Sequence, residues 1–167
     1  GVGEFVEAAR RLDAQGVAAR FLLVGDTDPD NPTGIAASQL QAWQREGVVE
    51  WQGRRDDMAE VFAASHVACL PSYREGLPKV LVEAAACGRA LVAADVPGCR
   101  EIARRDDNAL LVPPRDVTAL ALALCRFSED TARRARMARR SREIAAGEFS
   151  LETVIAQTLA VYRDLLS

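Results

Sequence analysis

A doubly wound α/β fold, with a parallel sheet covered by helices on both faces and a helical tail, is what this 167-residue sequence predicts. Three observations carry it. Short apolar runs recur at Phe21–Val24, Val48–Trp51, Val67–Leu70, Ala90–Ala94 and Ala109–Val112. Most are continuously apolar rather than alternating, as strands buried on both faces are. Longer amphipathic segments separate them, and strand, helix, strand in that order builds a parallel sheet with right-handed crossovers.

Taken in order, the chain opens in a helical rhythm, with Phe5, Ala8, Ala9 and Leu12 on one face. That start, together with a first residue that is not Met, predicts a piece of a longer protein. The spacing then predicts helices over roughly 33–46, 56–65, 78–87, 98–105 and 116–128, each following a run that closes at a polar residue, Gly or Pro. Beyond Pro113-Pro114 only helices remain: one capped by Asp116 or Thr118, one over about 129–146, and one from Ser150 to Leu166. Arg133, Arg134, Arg136, Arg139, Arg140 and Arg142 crowd the middle one. The opposing face offers only Ala135, Met137, Ala138 and Ile144, so a solvated face is expected there rather than a membrane-surface patch.

Composition excludes several classes. Lys plus Arg number 21 against 24 Asp plus Glu, a net charge of -3, which gives no electrostatic case for nucleic acid as a partner. Hydrophobic residues at 49% fit an ordinary globular domain. Cys69, Cys87, Cys99 and Cys125 form no C-x-x-C pair, so metal and redox centres find little support. Cys69 reads as a small buried thiol in a reducing compartment. No run approaches 18 apolar residues, so neither a spanning helix nor a signal peptide is expected.

Ligands of doubly wound sheets bind at the carboxyl ends of the strands, which directs attention to the loops there. The loop after the first run, Val24 to Gly34, is rich in Gly, Pro and Asp; its Gly25 is either a turn glycine or a place where a ligand approaches the backbone. The loop after the third run is the most informative: Pro71-Ser-Tyr-Arg-Glu-Gly-Leu-Pro-Lys-Val-Leu-Val-Glu. Pro78 suits the first turn of a helix. Unpaired amides from Gly76 to Leu81 and the helix dipole then make an anion site fit for phosphate. Glu75 and Glu83 flank it and would repel phosphate, so sugar or ribose hydroxyls are their natural ligands. The bare Glu-x7-Glu spacing carries no information, because about one such pair is expected by chance at this glutamate content. Glu83 could equally be a helical partner of Lys79, and Glu75 a solvated loop residue.

Pro71-Ser-x-x-Glu-Gly-Leu-Pro-x-Val-x-x-Glu-Ala-x-Ala-x-Gly88, then Asp95-Val-Pro-Gly-Cys-Arg-Glu101 and Asn108-Ala-Leu-Leu-Val-Pro-Pro114, resembles the donor-binding half of a family 4 glycosyltransferase. The resemblance runs nearly the whole chain and is nearest to bacterial enzymes of lipopolysaccharide, capsule or lipid-linked oligosaccharide synthesis. It implies one Rossmann-like half of a GT-B enzyme: residues 1–167 as the C-terminal nucleotide-sugar domain, without its first strand or the N-terminal acceptor domain. Glu75 would be the catalytic residue, touching hydroxyls of the transferred sugar, and Glu83 would hold the ribose diol. Backbone amides of Gly76, Leu77, Val80 and Leu81 would meet sugar and diphosphate. Gly53, Arg54 and Arg55 would face the base, and Gly25 would lie beside the diphosphate.

The resemblance further implies transfer with retention, no metal or other cofactor, and a UDP-sugar as donor. The acceptor would be a glycan or lipid-linked molecule bound by the other half. A cytoplasmic enzyme at the inner face of a bacterial membrane, with peripheral membrane contact in the full-length protein, follows from the same likeness. Two departures stand out. The Arg and Lys with which such enzymes neutralise the diphosphate would precede Gly1, so the chain by itself is expected to be nearly inactive. Asn108-Ala109 replaces an Asn-Gly pair, which tightens that turn. His66, the sole histidine, is expected to be structural. A GT-B nucleotide-sugar 2-epimerase and a receiver-like or flavodoxin-like module, suggested by Asp26, Asp28 and Asp30, are the alternative readings.

Overall fold

A computed structural model describes residues 1–28 and 34–166. In chain order the elements are α1 (Val2–Ala14), β1 (Leu22–Leu23), α2 (Ala37–Arg45), β2 (Glu50–Trp51), α3 (Met58–Ala63), β3 (Val67–Leu70) and α4 (Lys79–Ala86). They continue with β4 (Ala90–Ala94), α5 (Pro97–Arg100), β5 (Ala109–Val112), α6 (Val117–Glu129), α7 (Thr131–Glu148) and α8 (Leu151–Leu166). Asp30, with the rest of the stretch from Pro29 to Thr33, lies outside the described residues.

All strand pairs are parallel, as expected. Val67 to Leu70 run beside Ala90 to Ala93, and Leu91 to Ala94 beside Ala109 to Val112. The side chains of β4 and β5 alternate between two apolar clusters. Ala90, Val92, Leu110 and Val112 pack with Phe5, Val6, Ala9 and Leu12 of α1 and Leu120 and Phe127 of α6. Leu91, Ala93, Ala109 and Leu111 face the other way, onto Leu81 and Ala84 of α4 and Ile144 of α7. This two-sided burial is why the runs read as continuously apolar.

The sheet differs from expectation in one respect. Among the described residues β1 pairs only with β2, and β3, β4 and β5 form a separate ladder. The two groups are joined by side chains instead: Phe21, Leu23 and Val49 belong to the same cluster as Val67, Cys69 and Val92. Burial makes a run apolar whether or not its backbone joins a neighbour, so Phe21–Val24 and Val48–Trp51 shrink to two paired residues each.

Helix boundaries follow their caps. Asp116 rather than Thr118 caps α6, accepting the Ala119 amide at 2.8 Å, and Asp130 caps α7 through Arg133 at 2.8 Å. The expected helix over 98–105 stops at Arg100, because the fully buried Asn108 takes over the following turn. Its Oδ1 accepts the Arg104 amide at 2.7 Å and its Nδ2 donates to the Ile102 carbonyl at 2.9 Å.

The tail departs from the reading of its apolarity. The segment Thr131–Leu166 is long and apolar enough, by length and composition, to cross a membrane. Because α7 carries six arginines, that apolar share lies in α8, where Leu151, Ile155, Leu159, Tyr162 and Leu165 are all exposed.

Candidate active site

The carboxyl ends of β3, β4 and β5 open onto the loop from Pro71 to Pro78, and the site grows from that loop. Pro78 stands at the N-cap of α4 in extended conformation rather than inside its first turn. Its carbonyl accepts the Leu81 amide at 3.0 Å and the Val82 amide at 3.3 Å. Of the expected amide donors, that of Leu81 is engaged within the helix, and the Leu81 side chain is buried in the cluster of Ala84 and Leu91. The amides of Gly76, Leu77 and Val80 have no acceptor among the described residues, so three of the four expected donors are open. With the start of the α4 dipole they form a place where an anion is favoured.

Glu83 lies one turn further along α4, half-exposed, and its Oε1 meets Lys79 Nζ at 3.4 Å. Lys79 is largely solvated, so this is a loose pair that holds the carboxylate near the open amides without consuming it. Glu75 is half-buried in the loop before the helix. Its charge reaches Cys99 of α5, whose thiol is pushed up to about 11, chiefly by burial and then by Glu75.

What fixes the loop is a glycine that sequence reasoning assigned no role. A Cβ on Gly98 would lie 1.9 Å from the Gly76 carbonyl oxygen and 2.3 Å from that of Glu75. The start of α5 thus packs directly on the Glu75-Gly76 backbone, and only a residue without a side chain fits. Tyr73 gives a second restraint. Its hydroxyl donates to Glu4 of α1, and the Arg115 guanidinium stacks over its ring at 4.5 Å. The hydrogen bond from Tyr73 holds the Glu4 carboxyl below the usual range. Arg115 follows β5 with φ of 64°, a left-handed conformation unusual for a side chain of this size. Only the Pro-Pro-Arg-Asp context in the sequence hinted at a tight turn there.

At the carboxyl ends of β1 and β2 two expected residues meet. The Gly25 amide donates to the Gly53 carbonyl at 2.8 Å, and Trp51 Nε1 donates to the Gly25 carbonyl at 2.9 Å. Both glycines have positive φ, 140° and 62°, so the turn geometry itself requires them. Arg55 is held by Asp57 and by Gln52, whereas among the described residues Arg54 meets only the exposed Asp56, at 3.3 Å. Arg54 is the more available of the two. Among the described residues no three or more His, Cys, Asp and Glu side chains group closely enough to hold a metal ion.

Every feature of this loop, open amides before a helix, one carboxylate ahead of it and one inside it, suits a sugar joined to a diphosphate. A family model for glycosyl transferases group 1 matches residues 1–130. The chain belongs to this family. A relative from Campylobacter jejuni, N,N'-diacetylbacillosaminyl-diphospho-undecaprenol alpha-1,3-N-acetylgalactosaminyltransferase, is 32% identical over 157 residues, covering 94% of this chain and 39% of that protein. Among solved structures, sucrose-phosphate synthase from Thermosynechococcus elongatus superposes with a TM-score of 0.82 at 30% identity, over 98% of this chain and 42% of that one. The Anabaena protein Alr3699/HepE, solved with UDP and glucose, gives 0.67 at 25% identity, over 93% and 52%. The chain therefore spans about two fifths of the first of these relatives, with the Rossmann-like α/β architecture of GT-B glycosyltransferases.

Proposed function

We propose that this chain is the donor-binding part of a retaining glycosyltransferase that takes a nucleoside-diphosphate sugar, with UDP the favoured nucleotide, and serves bacterial surface-glycan synthesis. The observation that carries the reading is the pairing of open amides at Gly76, Leu77 and Val80 with Glu83 one turn beyond. A carboxylate among amides suited to phosphate has a purpose only if the ligand offers hydroxyls next to its phosphates, as a nucleoside diphosphate does. UDP in the Anabaena relative supports the choice of base.

In this reading Glu83 accepts two hydrogen bonds from the ribose diol, the amides hold the diphosphate, and Glu75 accepts from hydroxyls of the sugar near its reacting carbon. Arg54 faces the base. The bond between the sugar's anomeric carbon and the diphosphate oxygen breaks, its electron pair leaving with the nucleotide. The acceptor oxygen bonds to the same face, and its proton passes to a donor phosphate oxygen. Glu75 positions the sugar and forms no bond to it, and the reading assigns no metal. The acceptor, a glycan or a lipid-linked molecule as in the Campylobacter relative, meets the sugar from outside this chain.

Calorimetric titration with UDP, GDP and FMN tests the proposal. UDP should bind best, and Glu83→Ala should weaken it at least about tenfold, the scale of a charge-assisted hydrogen bond. Preference for FMN, or unchanged UDP affinity in Glu83→Ala, would overturn it.

A further inference from the structure

At the opposite end of the sheet, a strand's length from the donor loop and on the order of 15 Å away, lies a cleft of about 480 Å³. It opens where β3 and β4 begin, beside the first two turns of α7. Its lining includes His66, Arg89, Thr131 and Arg134, with Gly88 and Ala138 between them, and no carboxylate. Single arginines without an acid partner among the described residues occur elsewhere, Arg45 and Arg142 for instance, each donating to a backbone carbonyl; what distinguishes the cleft is that two of them share it. Arg10, Arg20, Arg55, Arg100, Arg104, Arg105 and Arg140 each pair with Asp or Glu. Arg89 and Arg134 pair with none among the described residues.

Both are nevertheless held in place. Arg89 donates to the carbonyls of Cys87 at 2.9 Å and Ser65 at 2.7 Å, and Arg134 donates to the Phe127 carbonyl. Backbone carbonyls orient a guanidinium without cancelling its charge. Each arginine keeps unused N–H donors, so the cleft carries two restrained guanidinium groups with no acid partner and the exposed imidazole of His66, directly before β3.

We propose that this cleft binds a phosphate-bearing small anion at a second site, separate from the donor site. Guanidinium groups offer paired N–H donors that phosphate oxygens accept, and because Asp130 already caps the amino end of α7, the two arginines alone supply the attraction. The volume exceeds what one inorganic phosphate needs, so a diphosphate or a phosphate ester is the fitting class.

Because His66 is the only histidine, its imidazole proton resonances report this cleft alone. Titrating the chain with inorganic pyrophosphate at constant pH and ionic strength should shift them saturably. Arg134→Gln should raise the apparent Kd about tenfold or more, while Glu83→Ala leaves the response intact. If Arg134→Gln loosens the fold, Arg134→Lys keeps the charge but not the fork and should still weaken binding measurably. No saturable shift, a shift matched by sodium chloride, or an affinity unchanged in either arginine variant would overturn the proposal.

Discussion

Gly98 and Gly76 touch backbone to backbone: the position of a Cβ on Gly98 is 1.9 Å from the Gly76 carbonyl oxygen. The contact locks the loop that carries Glu75 onto α5. Gly98 does not have positive φ, so an alanine there is compatible with the helix and incompatible only with its neighbour. Gly98→Ala is expected to cost about 1–3 kcal/mol as the loop is pushed away. Nucleotide-sugar affinity should fall with it, and chemical denaturation alongside UDP titration measures both. Wild-type affinity in a destabilised variant would show that the loop is not positioned through this contact.

Arg115 presents opposing terms of similar size. A left-handed conformation costs a non-glycine residue about 1–2 kcal/mol, while an exposed guanidinium over a tyrosine ring returns about 0.5–1 kcal/mol. Arg115→Gly removes strain and stacking together, so its stability should stay within about 1 kcal/mol of the parent. Arg115→Ala keeps the strain and loses the ring contact, so it should be the less stable of the two. Thermal unfolding of the pair decides this, and the reverse order would remove strain from the account of this turn.

The fold was legible where burial alone defines it. Ala90–Ala94 and Ala109–Val112 are apolar on both faces because α1 and α6 cover one and α4 and α7 the other. Pairing was not legible: Phe21 to Val24 and Val48 to Trp51 are as apolar as strands, yet hydropathy does not record whether a ladder partner lies alongside. In the site, the placement of Glu75 in the loop and Glu83 inside the following helix was readable because loop, proline and helix adjoin in sequence. The free amides were not, since shifting Pro78 from the first turn to the N-cap hands the Leu81 amide to its carbonyl. Gly98 was beyond reach for a different reason: its need for a missing side chain arises from a segment brought close only by folding.

Asp95 sets a pH dependence. It closes β4 and receives Arg100 Nε at 2.6 Å and an Arg105 terminal nitrogen at 2.6 Å. The hydrogen bond from Arg100, with the charges of both arginines, holds its carboxyl below the usual carboxylate range. A carboxylate depressed on folding contributes its full stabilisation above about pH 4 and loses it as pH falls through the folded-state value. Asp95→Asn should therefore lower stability at neutral pH by about 1 kcal/mol and flatten the decline below pH 4 measured by denaturant titration. Equal acid sensitivity in the variant would assign that decline to other pairs such as Arg104–Glu148.

Asn108 separates shape from hydrogen bonding. Fully buried, it uses both ends of its amide, accepting from Arg104 at 2.7 Å and donating to Ile102 at 2.9 Å. Asn108→Ala strands the half-buried Arg104 N–H and the buried Ile102 carbonyl, the latter worth about 1–3 kcal/mol when left unsatisfied, and should cost about 2–4 kcal/mol in all. Asn108→Asp preserves volume and the acceptor, but places a second oxygen against the Ile102 carbonyl and demands either a buried charge or a proton. The aspartate variant should thus be strongly pH-dependent, regaining stability as acid protonates it and restores a donor, whereas the alanine variant should not. Parallel denaturation of both variants across the acidic range checks this. If the two respond alike, the turn before β5 is held by the Asp106 backbone, which adopts φ of 59°, and not by the Asn108 side chain.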